Sequence, residues 1–182
     1  MTVQRILVYP KYKKELREKS EEVRQINPKV RRLIRDLKDT LRAHEEGIGL
    51  AAPQINIHQQ VVIVCLGTEV SGKWEAGPPR ALVNPRITLE QDERKDYDGC
   101  LSFPGLYGET IRPHRLRVVG QNEDGQPFDE LFEGFNAVVV HHEIDHLHGI
   151  LFIDRVKTAD DLYTLQKNEN GEWVRRSIGL IP

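Results

Sequence analysis

A chain of 182 residues, 38% hydrophobic and 30% charged, suits one compact domain able to bury a core of its own. Its formal net charge of -2 comes from interspersed acids and bases, which excludes the electrostatic footprint of a nucleic-acid binder. Two cysteines make no disulfide framework, and the longest apolar run, residues 61–66, falls far short of the ~20 needed for a membrane helix.

The first residues carry no signal-peptide core and acids appear by Glu15, so the expected location is the cytoplasm, with a mature organellar form as the alternative. Residues 3–9 form a short apolar stretch ended by Pro10, and the mixed-charge residues 11–25 should wrap the surface; neither suggests chemistry. Asn27-Pro28 then supplies an N-cap and a proline at the first helical position. Val30, Leu33, Ile34, Leu37 and Leu41 share one helical face, which predicts a helix over 28–46 packed on the core. His44 near its end reads as a surface residue or a partner of the helix's C-terminal dipole.

The helix stops at Gly47-Ile48-Gly49-Leu50-Ala51-Ala52-Pro53-Gln54. Gly47, Gly49 and Ala52 fit G-x-G-x-x-A, but a dinucleotide loop follows a strand and opens a helix, whereas this one follows a helix and meets Pro53. What remains is a loop of small residues that a ligand can approach closely, or else a plain helix-to-strand turn. Residues 61–66 and 81–88 predict strands, joined by a Gly/Pro-rich connection over 67–79, with Cys65 in the core. After the charged residues 91–98, Cys100 sits among turn residues in Gly99-Cys100-Leu101-Ser102-Phe103-Pro104-Gly105, where a reachable thiolate belongs. Residues 115–121 and 126–132 flank Asn122-Glu123-Asp124-Gly125, a hairpin signal. His58 and His114 fall in loops and are weak ligand candidates.

The sharpest stretch is His142-Glu143-Ile144-Asp145-His146. On a helix its two imidazoles lie about 6 Å apart along the axis on one face, whereas a strand would separate them by roughly 13 Å. A helix is therefore expected despite the β-branched run Val138-Val139-Val140, with Glu143 beside the metal as proton carrier. The bland alternative is a helix end with solvated histidines. Phe135, Val138 and Val139 share the face of His142; core packing is their commonest role, and those nearest the metal could wall a pocket. Gly149 ends the helix, residues 150–153 suggest a short strand, and a polar tail follows. Two histidines need a third protein ligand. Asp154, Asp160, Asp161 and Glu169 are nominal downstream choices, and Cys100 is the sharper one.

Taken together, residues 47–54, 99–102 and 142–146 resemble, in order and spacing, the three signature motifs of the bacterial-type peptide deformylases. Phe103-Pro104-Gly105 and residues 149–155 extend the similarity, which covers most of residues 3–155. The resemblance implies an α+β fold, antiparallel strands around a central metal-binding helix, as one domain over 1–182 with 155–182 as a C-terminal tail. It implies hydrolysis of the N-formyl group from the initiator methionine of new polypeptides, releasing formate. By motif position Cys100, His142 and His146 bind the metal, Glu143 moves the proton, and Gln54 with the backbone N–H of Leu101 steadies the oxyanion. The implied metal is Fe2+, with Ni2+, Co2+ or Zn2+ as alternatives, although spacing alone puts zinc first. Ile48 and Gly49, with Gly105 opposite, would pair with an extended peptide, and Phe135, Val138 and Val139 would receive the methionine side chain. The expected partner is a formyl-methionyl nascent peptide, with the ribosome second; no membrane partner is expected, and the chain should be a monomer.

Three positions depart from the family pattern. Asp98 stands for glutamate, which shortens the reach and should weaken hydrogen bonds made there. His141 stands for glutamine and, about 100° around the helix from His142, belongs behind the ligands or at the surface. Ala137 lies where the family commonly has a nearby arginine. Two rival readings follow: a zinc endopeptidase of the H-E-x-x-H type using a downstream carboxylate, and a catalytically impaired relative whose groove only binds peptides.

Overall fold

The apolar run 61–65 is buried on both faces in the computed structural model, which describes residues 2–179. Its strand, β2 (Val61–Val70), lies between two helices. Val61, Ile63 and Cys65 point to α2 (Pro28–Arg42), while Val62 and Val64 point to α3 (Phe135–Leu147). A strand covered on both sides has no solvent face to mark with polar residues, which is why this run does not alternate.

Helix α2 starts as expected: Asn27 Oδ1 accepts from the N–H groups of Lys29 and Val30 at 2.9 and 3.1 Å, with Pro28 at the first position. It ends at Arg42, earlier than the expected 46, because turns take over in which Gly47 donates to the His44 carbonyl. Before it, residues 11–25 include a short helix α1 (Lys13–Leu16) whose Leu16 is fully buried, so this segment does more than wrap the surface.

The strands form one antiparallel sheet in the order β1 (Gly49–Ala51), β2, β3 (Lys73–Gly99), β4 (Leu106–Gln121), β6 (Leu162–Lys167) and β7 (Trp173–Ser177), with β5 (Pro127–Glu133) also on β4. β3 pairs with β2 up to Val83, which also faces Gln121 of β4, and with β4 again from Arg86 onward. Asn84 sits at the changeover with φ +50, and its side chain exchanges two 2.8 Å hydrogen bonds with the backbone of Val23. Following it, Pro85 has no N–H to give a ladder, which suits a corner rather than a strand interior.

Several local expectations are corrected. Residues 67–79 are the arms and tip of the β2–β3 hairpin, which turns at Ser71 and Gly72 with positive φ. The charged residues 91–98 belong to β3, where outward positions face solvent, and His114 lies in β4 rather than a loop. Residues 150–153 form no strand; a 3-10 turn runs over Phe152–Arg155, where Asp154 accepts from the Leu151 N–H at 2.9 Å. The polar tail folds back as the β6–β7 hairpin on the edge of β4. The sequence closes on an apolar stretch at 178–181, of which residues 180 and 181 lie outside the described residues. The architecture is α+β, with α3 packed against β1, β2, β4 and β5 as the inner helix.

Candidate metal centre

Every residue from 137 to 147 of α3 is buried, so this helix has no polar stripe, and its valines and histidines meet protein all round. Its start is pinned to the irregular pairing between Cys65 and Gly67: Asn136 Oδ1 accepts from the Gly67 N–H at 2.8 Å and its Nδ2 donates to the Gly67 carbonyl at 2.9 Å. Its end turns at Gly149, φ +71, where a Cβ would lie 2.2 Å from the Arg17 carbonyl oxygen. Only glycine fits both demands.

Cys100 follows the last residue of β3, in a turn closed by the Phe103 N–H donating to the Cys100 carbonyl at 2.8 Å. The N-terminal stretch, which showed no chemistry in sequence, braces this region. Leu7 donates to the Gln54 carbonyl at 2.8 Å and Tyr9 to the Ser102 carbonyl at 2.9 Å, so one extended segment ties two site loops together.

The ligating atoms of Cys100, His142 and His146 all lie within 4.8 Å of one another, with Cys100 Sγ 3.3 Å from His146 Nε2. Tetrahedral bonds of about 2.3 Å to sulfur and 2.0–2.1 Å to nitrogen put such donors roughly 3.5 Å apart, so these residues fit a divalent cation. His142 Nδ1 lies 2.7 Å from Asp98 Oδ1; the carboxylate accepts, the proton sits on Nδ1, and Nε2 is the nitrogen turned to the centre. Burial would raise the Asp98 carboxyl, yet His142 and Arg112 hold it well below the usual carboxylate range. Burial works against a charged His142, and Asp98 and Cys100 outweigh it, holding that ring above the ordinary imidazole range. His146 is pushed down to about 3 by burial and by His142. The pocket thus favours one positive charge opposite Asp98. Ligation by thiolate and neutral imidazoles around a cation meets the same demand.

Glu143 and Gln54 stand beside these donors. Burial, against the pull of His142, pushes the Glu143 carboxyl up to about 7, and its Oε2 is buried without a partner among the described residues. Gln54 is 2% exposed; its Oε1 accepts from the Ala51 N–H at 2.8 Å, and Nε2 donates to Ser102 Oγ at 3.1 Å and toward Cys100 Sγ at 3.4 Å. A cleft of about 680 Å³ opens over the group. Ile48, Gly49, Gln54, Cys100, Leu101, Gly105, Phe135, Val138, Val139, His142 and Glu143 all line it; His146 lies beneath, 1% exposed. Val139 also packs into the core on the inner face of the sheet.

Arg112 is the residue that sequence reasoning missed. It is fully buried; its Nε donates to Asp98 Oδ2 at 2.6 Å and its NH1 to Asp145 Oδ2 at 2.8 Å. Thr110 Oγ1 also donates to Asp98 Oδ2, at 2.8 Å, and Arg155 holds Asp145 from the other side at 2.7 and 3.0 Å. Arg112 NH2 approaches His142 Nδ1 at 3.4 Å, but a nitrogen already donating to Asp98 cannot accept, so this is a contact and not a hydrogen bond. The available signal was an arginine at an inward position of β4, where Gly108, Thr110, Arg112, Leu116 and Val118 are buried in an alternation broken by buried Pro113.

The departures resolve as follows. Asp98 reaches His142, Arg112 and Thr110 at 2.6–2.8 Å, so its shorter side chain does not weaken the bonds there. His141 is 1% exposed, which removes the surface alternative, and burial lowers it to about 4. Ala137 is fully buried in the core beside Val140 and Ile144. None of the downstream carboxylates joins the ligating group: Asp154 pairs with Arg17, and Asp161 with Lys95.

A family model described as polypeptide deformylase matches residues 3–161. The peptide deformylase of Desulforudis audaxviator is 44% identical over 159 residues, covering 87% of this chain and 96% of that protein. That of a Synechococcus species is 38% identical over 158 residues, covering 86% and 76%. The crystal structure of Ehrlichia chaffeensis peptide deformylase in complex with actinonin superposes with a TM-score of 0.78 at 33% identity, covering 86% of this chain and 90% of that one. The Met-Ala-Ser-bound structure of an Acinetobacter baumannii peptide deformylase gives 0.77 at 27% identity, covering 85% and 99%.

Proposed function

This chain belongs to the polypeptide deformylase family, and from that premise we propose that Cys100, His142 and His146 ligate one divalent metal beside which Glu143 carries the proton. The chain is a metal-dependent hydrolase that removes the N-formyl group from the initiator methionine of newly made polypeptides, releasing formate. One observation carries the residue assignment: a thiol and two imidazoles converge at the floor of a cleft, next to a buried carboxylate oxygen that has no partner among the described residues.

Iron(II) is the proposed metal, with Zn2+, Ni2+ or Co2+ as substitutes that the same donors would accept. When bound, the metal supplies Lewis acidity that brings the pKa of water from 15.7 to about 7. Glu143, a carboxylate buried beside the donors, accepts a proton from the attacking water. It then hands that proton to the departing amine, which leaves poorly without it. Gln54 Nε2 and the Leu101 N–H donate to the formyl oxygen as it gains charge, where losing one donor costs about 3 kcal/mol.

Ile48 and Gly49, with Gly105 opposite, hold the extended peptide, and Phe135, Val138 and Val139 receive the methionine side chain. The Met-Ala-Ser bound to the Acinetobacter baumannii neighbour supports a peptide N-terminus as the occupant. In this reading residues 1–182 are one catalytic domain, acting as a monomer on nascent chains near the ribosome. The compartment is the cytoplasm, or an organelle for a mature imported form; among the described residues no helix is long and apolar enough to cross a membrane. The test is formate release from a formyl-methionyl tripeptide by wild type and Glu143→Ala, with metal content measured on both. The proposal expects full metal and nearly abolished turnover in the variant; unchanged turnover refutes it.

A further inference from the structure

Arg112 links the helix residue preceding the first histidine ligand to the carboxylate that orients that ligand. Its NH1 lies 2.7 Å from His141 Nδ1, its Nε donates to Asp98 Oδ2 at 2.6 Å, and Asp98 Oδ1 meets His142 Nδ1 at 2.7 Å. A guanidinium offers donors only, so His141 Nδ1 is the acceptor and the ring proton of His141 is on Nε2. That nitrogen faces the Glu90 carboxylate at 3.6 Å, which favours the same tautomer. The four members are 1%, 0%, 4% and 7% exposed in the order His141, Arg112, Asp98, His142, so no water competes for these bonds.

We propose that His141 is a positioning residue of the metal centre: its Nδ1 seats the Arg112 guanidinium, which fixes Asp98, which aims His142 at the cation. The inference rests on the metal-centre reading above. Without an acceptor at position 141, NH1 keeps only Asp145 Oδ2, an oxygen that already accepts from Arg155 Nε at 3.0 Å. One buried N–H then lacks a partner, and a guanidinium turning to relieve it shifts the carboxylate it holds. Groups that orient a ligating histidine typically contribute 10–100-fold in metal affinity.

The experiment uses the full chain, freed of metal with a chelator and titrated with Co2+, as wild type, His141→Leu and His141→Gln. Leucine fills the space without an acceptor, whereas glutamine keeps a carbonyl oxygen for Arg112. The expected result is a Co2+ affinity about 10–100-fold weaker in His141→Leu, with a shifted Co2+ absorption band, and affinity and spectrum close to wild type in His141→Gln. Should His141→Leu fail to fold, His141→Met carries the same comparison. Thermal unfolding of the metal-free proteins is the control. A variant that lowers the apo Tm and leaves Co2+ affinity unchanged overturns the inference, as does equal weakening in the glutamine and apolar variants. Failure of the wild type to take up Co2+ overturns the metal-centre reading as well.

Discussion

Gly49 and Glu143 meet so closely that a Cβ on the glycine would stand 2.2 Å from Glu143 Oε1. Strand β1 therefore carries glycine here because the carboxylate of α3 occupies the space a side chain would need. The prediction is that Gly49→Ala pushes Glu143 off its position and lowers kcat/KM about 100-fold, the scale expected for a misplacement near 1 Å. Metal content should stay at the wild-type level, since the atoms nearest the added Cβ all belong to Glu143. A fully active Gly49→Ala enzyme would mean that Glu143 need not occupy the place found for it.

Gln54 gives a second prediction. Its Nε2 donates to Ser102 Oγ and toward Cys100 Sγ, which keeps the amide beside the centre, and one of these two N–H groups turns to the formyl oxygen during reaction. Preorganised donors act on charge that develops during reaction, so Gln54→Ala should lower kcat by about 10²–10³ with a much smaller change in KM. Steady-state kinetics on a formyl-methionyl tripeptide separate the two constants, and a variant altered mainly in KM would assign Gln54 to ground-state binding.

How much of this was readable in advance depended on whether a residue's role is local. The histidine pair was legible because helical spacing alone decides which side chains share a face, and α3 forms despite its valines because burial overrides propensity. Cys100 stood out as a thiol in a turn. Arg112 did not, because its partners Asp98 and Asp145 come from β3 and α3, and an inward arginine does not by itself name partners on other elements. The arms of the β2–β3 hairpin were hidden by Gly67, Gly77, Pro78 and Pro79, whose strand positions depend on irregular pairing. The tail hairpin was hidden by polarity, since β7 is exposed throughout.

Stability should carry an acid-side signature from Arg17 and Asp154, which pair at 2.8 and 2.9 Å and tie the N-terminal segment to the turn after α3. Burial would raise the Asp154 carboxyl, but the hydrogen bonds from Arg17 and the Leu151 N–H outweigh it and hold it below the ordinary value. A carboxyl depressed in the folded state adds stability above its unfolded pKa of about 3.9 and loses it as pH falls below that value. Both side chains are about a third exposed, so the contribution is under about 1 kcal/mol, a Tm difference of a few degrees at most. Asp154→Asn should thus melt slightly below wild type at pH 7 and closer to it at a pH below about 3.9, where the folded carboxyl begins to lose its advantage. A gap of equal size at both pH values would assign the loss to packing instead.

The convergence of Cys100 with His142 and His146 is tested most directly by metal analysis of anaerobically purified wild type and Cys100→Ala. One divalent metal per chain in the wild type and a large loss in the variant, with the fold retained by circular dichroism, is the predicted result. A Cys100→Ala chain that still holds one metal per molecule would contradict the assignment and return the third ligand to a carboxylate.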